Sequence, residues 1–395
     1  MLTISAPHSA PAAPQKQRLA WPDVARGVSI LGVVLLHVRL AVPEGEHTLA
    51  AQANELIDPL RLPLFFIISG FFSQKVLNFR FGELFRKRLW FLLIPYLVWS
   101  IVELRMSTWD FHYAFDTPVA TWRESLRTVL LGHSMGWFLH SLVLYNIFLW
   151  AVRKLPPWAG LAASFSPLLL LGYTQEYYVV GKAIMFLPVF MAGVYLRPAI
   201  TTFAESIDSL RHPTRATWWA LALTVATYAA SVTLRGRFDD RVEPIDVAWP
   251  LPGAGNLGFE EAKLLVRFAE QSLQLPAGIA AAVLLAHVPF VSGFFRFIGS
   301  HTLPIYLGHH LGIIALFGFP KTYFEWDITK AGEWPLESTD FWIWGCFAAA
   351  AVGSLALWLV EKIPVLRWTM VPPRLPSLKE LWSQRRAQCE HATPR

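Results

Sequence analysis

The chain repeats apolar blocks of roughly 17–25 residues, the length that crosses a bilayer, with short charged stretches between them. That pattern leaves one broad fold class, an all-α polytopic membrane bundle. Only 16% of the 395 residues are charged and 54% are hydrophobic, where a soluble domain is near a quarter charged, so an ordinary cytosolic enzyme is excluded. Ten spans are expected, at approximately 24–42, 59–77, 88–106, 134–152, 157–173, 180–196, 216–234, 271–290, 299–319 and 341–360. Residues 1–17, broken by Pro7, Pro11 and Pro14, read as a disordered cytoplasmic lead. The first block is too long for a signal-peptide core and no small-residue cleavage site follows it, so it stays as a span. Residues 18–360 then form one transmembrane domain, and 361–395 a basic cytoplasmic tail.

Orientation follows from the cations. With the N-terminus cytoplasmic, Arg80, Arg86, Lys87, Arg88, Arg153, Lys154, Arg197, Arg211 and Arg215 all fall in cytoplasmic connections. The opposite loops carry Glu44, Glu46, Glu55, Asp58, Asp110, Asp116, Glu325, Asp327, Glu333 and Asp340. Both termini are therefore expected in the cytoplasm. The net charge of +6 is used in topology and gives no reason to expect a nucleic-acid partner. The longest external loop, about 235–270, contains Arg235, Asp239, Glu260 and Glu261 and is a candidate lid. Cys346 and Cys389 form no disulfide framework or Cys-x-x-Cys motif, and the histidines show no ligand spacing, so no metal is expected.

Ionisable side chains at membrane depth usually mark a site. The first span has Arg26 near its cytoplasmic end and His37 near its external end. Eleven residues return to within about 20° of the starting face, with a rise of roughly 16 Å, so the two side chains look along one face. Ser69-Gly70 in the second span allows a close approach by a helix or ligand. With Arg86 to Arg88 ahead of the third span, it places cations and a small-residue gap on the cytoplasmic side, where a phosphorylated ligand is held. Trp137-Phe138-Leu139 opens the fourth span, and Tyr306-Leu307-Gly308-His309-His310 lies in the ninth. His309 and His310 are not on one helix face, so at most one is expected to point inward.

These residues carry a resemblance. Asp23, Arg26-x10-His37, Phe65-Phe66-x-x-Ser69-Gly70-Phe71, Arg88 ahead of Pro95-Tyr96, Trp137-Phe138-Leu139 and Ile305-Tyr306-Leu307-x-His309, in that order, resemble the acyltransferase-3 family of membrane O-acyltransferases. The likeness runs over nearly the whole chain. It implies a bundle of about ten helices in a bacterial cytoplasmic membrane, with Arg26 and His37 as the essential motif. It also implies acetyl-coenzyme A as the cytoplasmic acyl donor and a hydroxyl of an envelope glycan or glycolipid as the outer acceptor. The Ala-, Arg- and Trp-rich composition points to a high-GC bacterium, and some actinobacterial members of the family resemble trehalose monomycolate acetyltransferases.

On that resemblance Arg26, Arg86, Arg88 and Ser69 hold the coenzyme, and His37 is general base or acyl-carrying nucleophile. Glu176 or Glu103 orients the imidazole, as carboxylates do in other base-orienter pairs. Trp137, Tyr306 and His309 line the donor or acceptor pocket. The competing class is a secondary transporter with an intramembrane Arg/His pathway and helices broken at Pro95 and Pro304. No second Arg-x10-His pattern appears in the other half to support it.

Overall fold

The computed structural model describes residues 19–240, 245–250 and 256–376. The expected lead over 1–17 and the tail beyond 376 lie outside the described residues. Among these, every regular element is helical, and the only β pairing is two isolated bridges, Val247 with Leu257 and Thr329 with Ser338.

Among the described residues, eight helices are long and apolar enough to cross a membrane. The first three are α1 (Trp21–Ala41), α2 (Leu49–Phe71, extended to Asn78 by a 3-10 turn) and α3 (Phe81–Phe115). A short amphipathic α4 (Trp122–Leu130) and a 15-residue apolar α5 (Trp137–Ala151) follow. Next come α6 (Pro157–Ala163), α7 (Tyr178–Tyr195), α8 (Arg197–Asp208), α9 (Arg215–Asp239) and α10 (Phe259–Leu285). The last are α11 (Val291–Ser300), α12 (Thr302–Tyr323) and α13 (Thr339–Val360).

Three expectations need correction. The stretch 157–173 is not one helix. Pro156 and Pro157 start α6, the Ser164 hydroxyl donates back to the Leu161 carbonyl, and Pro167 opens a 3-10 segment, Ser166–Tyr173; proline lacks the N–H that would continue an α ladder. That segment still returns the chain to the opposite end, where Trp249 Nε1 donates to the Leu169 carbonyl at 3.2 Å. The loop expected over 235–270 is shorter, because α9 runs to Asp239 and α10 starts at Phe259, with Glu260 and Glu261 in its first turn. Finally, α2 begins ten residues before its expected start, after Thr48 caps the Ala51 N–H, and so brings Asn54 and Asp58 into the bundle.

Without water to squeeze out, helices in lipid associate by close packing, and small residues let backbones touch. A Cβ on Gly70 would lie 1.9 Å from the Phe190 carbonyl oxygen, and one on Gly193 would lie 2.0 Å from that of Ile67. This locks α2 against α7. Likewise, Gly312 sits where a Cβ would be 2.1 Å from the Ala349 carbonyl oxygen, and Gly308 faces Gly353, so α12 and α13 share a glycine seam. Aromatic rings fill the centre: Phe66 stacks on Phe186 at 4.7 Å and Phe65 meets Phe138 edge-on at 4.7 Å.

Both described termini lie at one end of the bundle. There Arg26 sits over the Phe72 ring, Arg197 donates to Gln74, Trp150 to the Phe79 carbonyl and Trp90 to the Pro373 carbonyl. The other end joins Thr339 to the Pro43 carbonyl and the Lys330 amide to Glu44. The basic connections fall at the first end, as the charge pattern predicted.

Candidate active site

His37 lies in the half of α1 away from the basic end and lines a cavity of about 580 Å³. Arg61, Glu103, His133, Trp137, Tyr178, Lys182 and Tyr306 share that lining. Five helices besides α1 supply these groups: α2 gives Arg61, α3 gives Glu103, α5 gives Trp137, α7 gives Tyr178 and Lys182, and α12 gives Tyr306, with His133 from the loop before α5.

The imidazole of His37 is held by α12. His37 Nδ1 and His309 Nε2 are 3.0 Å apart, and His309 Nδ1 is 2.8 Å from the Ile305 carbonyl oxygen, one turn back on its own helix. A carbonyl only accepts, so His309 Nδ1 carries a proton. In the neutral ring its Nε2 is then an acceptor, and His37 Nδ1 must be the donor. That pairing leaves the lone pair on His37 Nε2. This is the second-partner logic by which a histidine's role is set, with an imidazole where a carboxylate was expected.

His310 flanks the other side of the same ring, its centroid 5.5 Å from that of His37 against 5.0 Å for His309. Both rings thus face His37, although neither is in the lining of the cavity. Their directions differ by about 100°, and the His37 ring enters the notch between them. His310 Nδ1 is 3.0 Å from Glu103 Oε1, within ion-pair range but not aligned as a hydrogen bond. Glu103 is buried at 6% exposure, and its Oε2 has no hydrogen-bond partner among the described residues.

Of the residues expected from sequence, the structure brings His37, Glu103, Trp137 and Tyr306 to one cavity, with altered parts for some, while His309, expected to line it, is buried against His37 and is not in the lining. Glu103 touches His310 rather than His37. The Tyr306 hydroxyl is occupied: it donates to the Met135 carbonyl and accepts from the Phe138 N–H at 3.2 Å, so it fixes the start of α5 and presents only its ring. Glu176 is exposed and absent from the cavity lining; its carboxylate is hydrogen-bonded to Tyr177, which pushes that phenol up from its usual value.

Arg26, Arg86, Arg88 and Ser69 lie toward the basic end. Arg26 is 3.9 Å from Asp23 and 4.6 Å from the Phe72 ring centre. Arg88 donates to the Ser73 hydroxyl at 2.8 Å, and Ser73 in turn donates to the Ser69 carbonyl. The Ser69 hydroxyl itself is turned back onto the Phe65 carbonyl at 2.8 Å, and the gap expected at Ser69-Gly70 is filled by α7. Arg86 lines a second cavity, about 1130 Å³, with Lys87, Arg367 and Arg374. The cavity lining that includes His37 does not include Arg26.

Two cations at the first cavity were passed over in the sequence. Arg61, only 8% exposed, pairs with Asp58 and donates to Asn54 at 2.9 Å. Lys182 Nζ sits 4.6 Å from the ring centres of both Trp137 and Tyr178. Their signal was the one that marked His37, an ionisable residue inside an apolar block.

A multi-helix membrane bundle that buries a tautomer-fixed imidazole at a polar cavity is the architecture of an integral membrane enzyme. The family model of an acyltransferase domain, that of the acyltransferase-3 family, matches residues 19–360. The chain belongs to that family and is a membrane acyltransferase, which displaces the transporter alternative. No curated protein and no solved structure matches it.

Proposed function

We propose that the protein transfers an acyl group, most simply acetyl, from acyl-coenzyme A to a hydroxyl of an envelope glycan or glycolipid on the far side of a bacterial cytoplasmic membrane. The basic end faces the cytoplasm, by the positive-inside rule. Arg26, Arg86 and Arg88 meet the coenzyme's phosphates there, and the thioester extends toward His37. His37 Nε2 takes the acceptor's hydroxyl proton as the oxygen attacks the thioester carbonyl. The carbon–sulfur bond breaks, and the thiolate recovers the proton from His37. Glu103 and the Trp137 and Tyr306 rings shape the space around the acceptor.

The observation that carries this reading is the His37 Nδ1 to His309 Nε2 contact at 3.0 Å with His309 Nδ1 on the Ile305 carbonyl, because it leaves one basic nitrogen on the ring that lines the cavity. The test is thiol release from acetyl-coenzyme A by the full chain in nanodiscs supplied with envelope glycans and glycolipids. Wild type releases thiol and labels an acceptor, whereas His37→Ala, folded by size exclusion, does neither. Turnover by His37→Ala at the wild-type rate removes His37 from the base role.

A further inference from the structure

The charges around Lys182 are unbalanced in a way the transfer step does not require. Lys182 lies one turn after Tyr178 on α7, and its ammonium is enclosed by the faces of Trp137 and Tyr178. Among the described residues no carboxylate is in ion-pair range of it; the charged groups that act on it are Arg267 and Arg61. Those two share Asp58, which Arg267 reaches at 2.7 Å. The one carboxylate beside these cations is thus committed to the two arginines, and Lys182 has no share in it. Glu103, the one acidic side chain lining the cavity, stands against His310. Arg61 also keeps a buried Nε with no hydrogen-bond partner. An enclosed ammonium facing only cations and ring faces is costly until an anion joins it.

We propose that Lys182, backed by Arg61, is an anion subsite beside His37, and that it holds a carboxylate or phosphate carried by one of the two substrates. This rests on the acyl-transfer reading above. The anion is not the coenzyme's own pyrophosphate, because the whole pantetheine arm separates that group from the thioester that must reach His37. Two sources remain for one chemistry. The acyl group bears a terminal carboxylate, as a dicarboxylic half-thioester does, or the acceptor bears a phosphate or uronate near its reactive hydroxyl. Trp137 and Tyr178 then act as a cage that aims the ammonium into the cavity.

The experiment uses the full chain in nanodiscs as wild type, Lys182→Met and Lys182→Arg. Binding of succinate and of inorganic phosphate is measured by calorimetry without any coenzyme. Thiol release is then compared for acetyl- and succinyl-coenzyme A with a neutral glycan, and for acetyl-coenzyme A with a neutral and a phosphorylated acceptor. At least one probe anion binds wild type, about 10- to 100-fold more weakly in Lys182→Met, with Lys182→Arg close to wild type. The preference for the charged substrate collapses in Lys182→Met in one pair only; collapse in the donor pair assigns the anion to the acyl group, collapse in the acceptor pair to the acceptor. Equal anion binding by wild type and Lys182→Met, or no binding by wild type, overturns the subsite. Anion binding that depends on Lys182, without thiol release in any pair, supports the subsite while refuting the acyl-transfer reading.

Discussion

Replacing His309 with leucine tests whether that ring sets the state of His37 or merely packs beside it. The contact is an N-to-N distance of 3.0 Å between side chains of α1 and α12, and His309 is 2% exposed. If the bond only steadies the ring, its loss is that of one hydrogen bond, about 0.5–1.5 kcal/mol, or roughly 2- to 13-fold in rate. If it also selects the tautomer, the loss rises toward the whole general-base contribution, about 10²–10⁴-fold. Because the Ile305 carbonyl fixes the His309 proton and so makes Nε2 an acceptor, the second case applies. His309→Leu should lower single-turnover thiol release by about 10²-fold or more, with donor KM little changed. His309→Gln should recover about tenfold of that, since an amide oxygen also accepts from His37 Nδ1. The double variant His37→Ala with His309→Leu should be no slower than His37→Ala alone, because a positioning residue has nothing left to position. A His309→Leu rate near wild type, equal rates for the Gln and Leu variants, or additive losses in the double variant would each refute the argument.

Two further outcomes follow from the packing. Gly70→Ala forces a methyl to within 1.9 Å of the Phe190 carbonyl oxygen, so α2 and α7 must separate; thermal unfolding in detergent should show about 1–3 kcal/mol of destabilisation, and an unchanged midpoint would contradict the seam. Glu103→Leu and His310→Leu should be non-additive in a double-variant cycle, with a coupling of about 0.5–3 kcal/mol; strict additivity of the two would deny the pair seen at 3.0 Å.

Much of the fold was legible because hydropathy and charge placement answer to the bilayer rather than to tertiary detail. Block length located all but one of the expected helices, and the basic connections gathered at one end. The stretch 157–173 misled because its residues are apolar enough for a span while Pro156, Pro157 and Pro167 deny it a continuous ladder. At the site, His37 stands out as an imidazole inside hydrocarbon, but its partner does not: carboxylates are the usual orienting groups, which points to Glu176 and Glu103, whereas the ring nitrogen in contact belongs to His309. The one-face rule for His309 and His310 concerned the cavity, which neither lines; it could not show that a ring from a second helix enters between two side chains that diverge. Arg61 and Lys182 required the third dimension, since only packing shows that Asp58 is shared and that Trp137 closes over the ammonium.

The glycine seam and the histidine pair are two faces of one helix. On α12, Gly308 and Gly312 are one turn apart and meet α13, while His309 and His310 are rotated from Gly308 by about 100° and 200°. Turning the glycine face to α13 thus turns both imidazoles away from α13 and toward α1. The seam has no side-chain thickness: a Cβ at Gly312 would already lie 2.1 Å from the Ala349 carbonyl oxygen. A helix pressed backbone to backbone on one side has little freedom to translate, so the spacing to His37 on the other side is fixed as well. The Tyr306 hydroxyl, bound to Met135 and Phe138, ties the same helix to the start of α5 and stops it rotating about its axis. The short contact between His37 and His309 therefore depends on glycines outside the cavity lining as well as on Tyr306 within it, and on the same sequence run, Tyr306 to Gly312, that supplies the imidazoles.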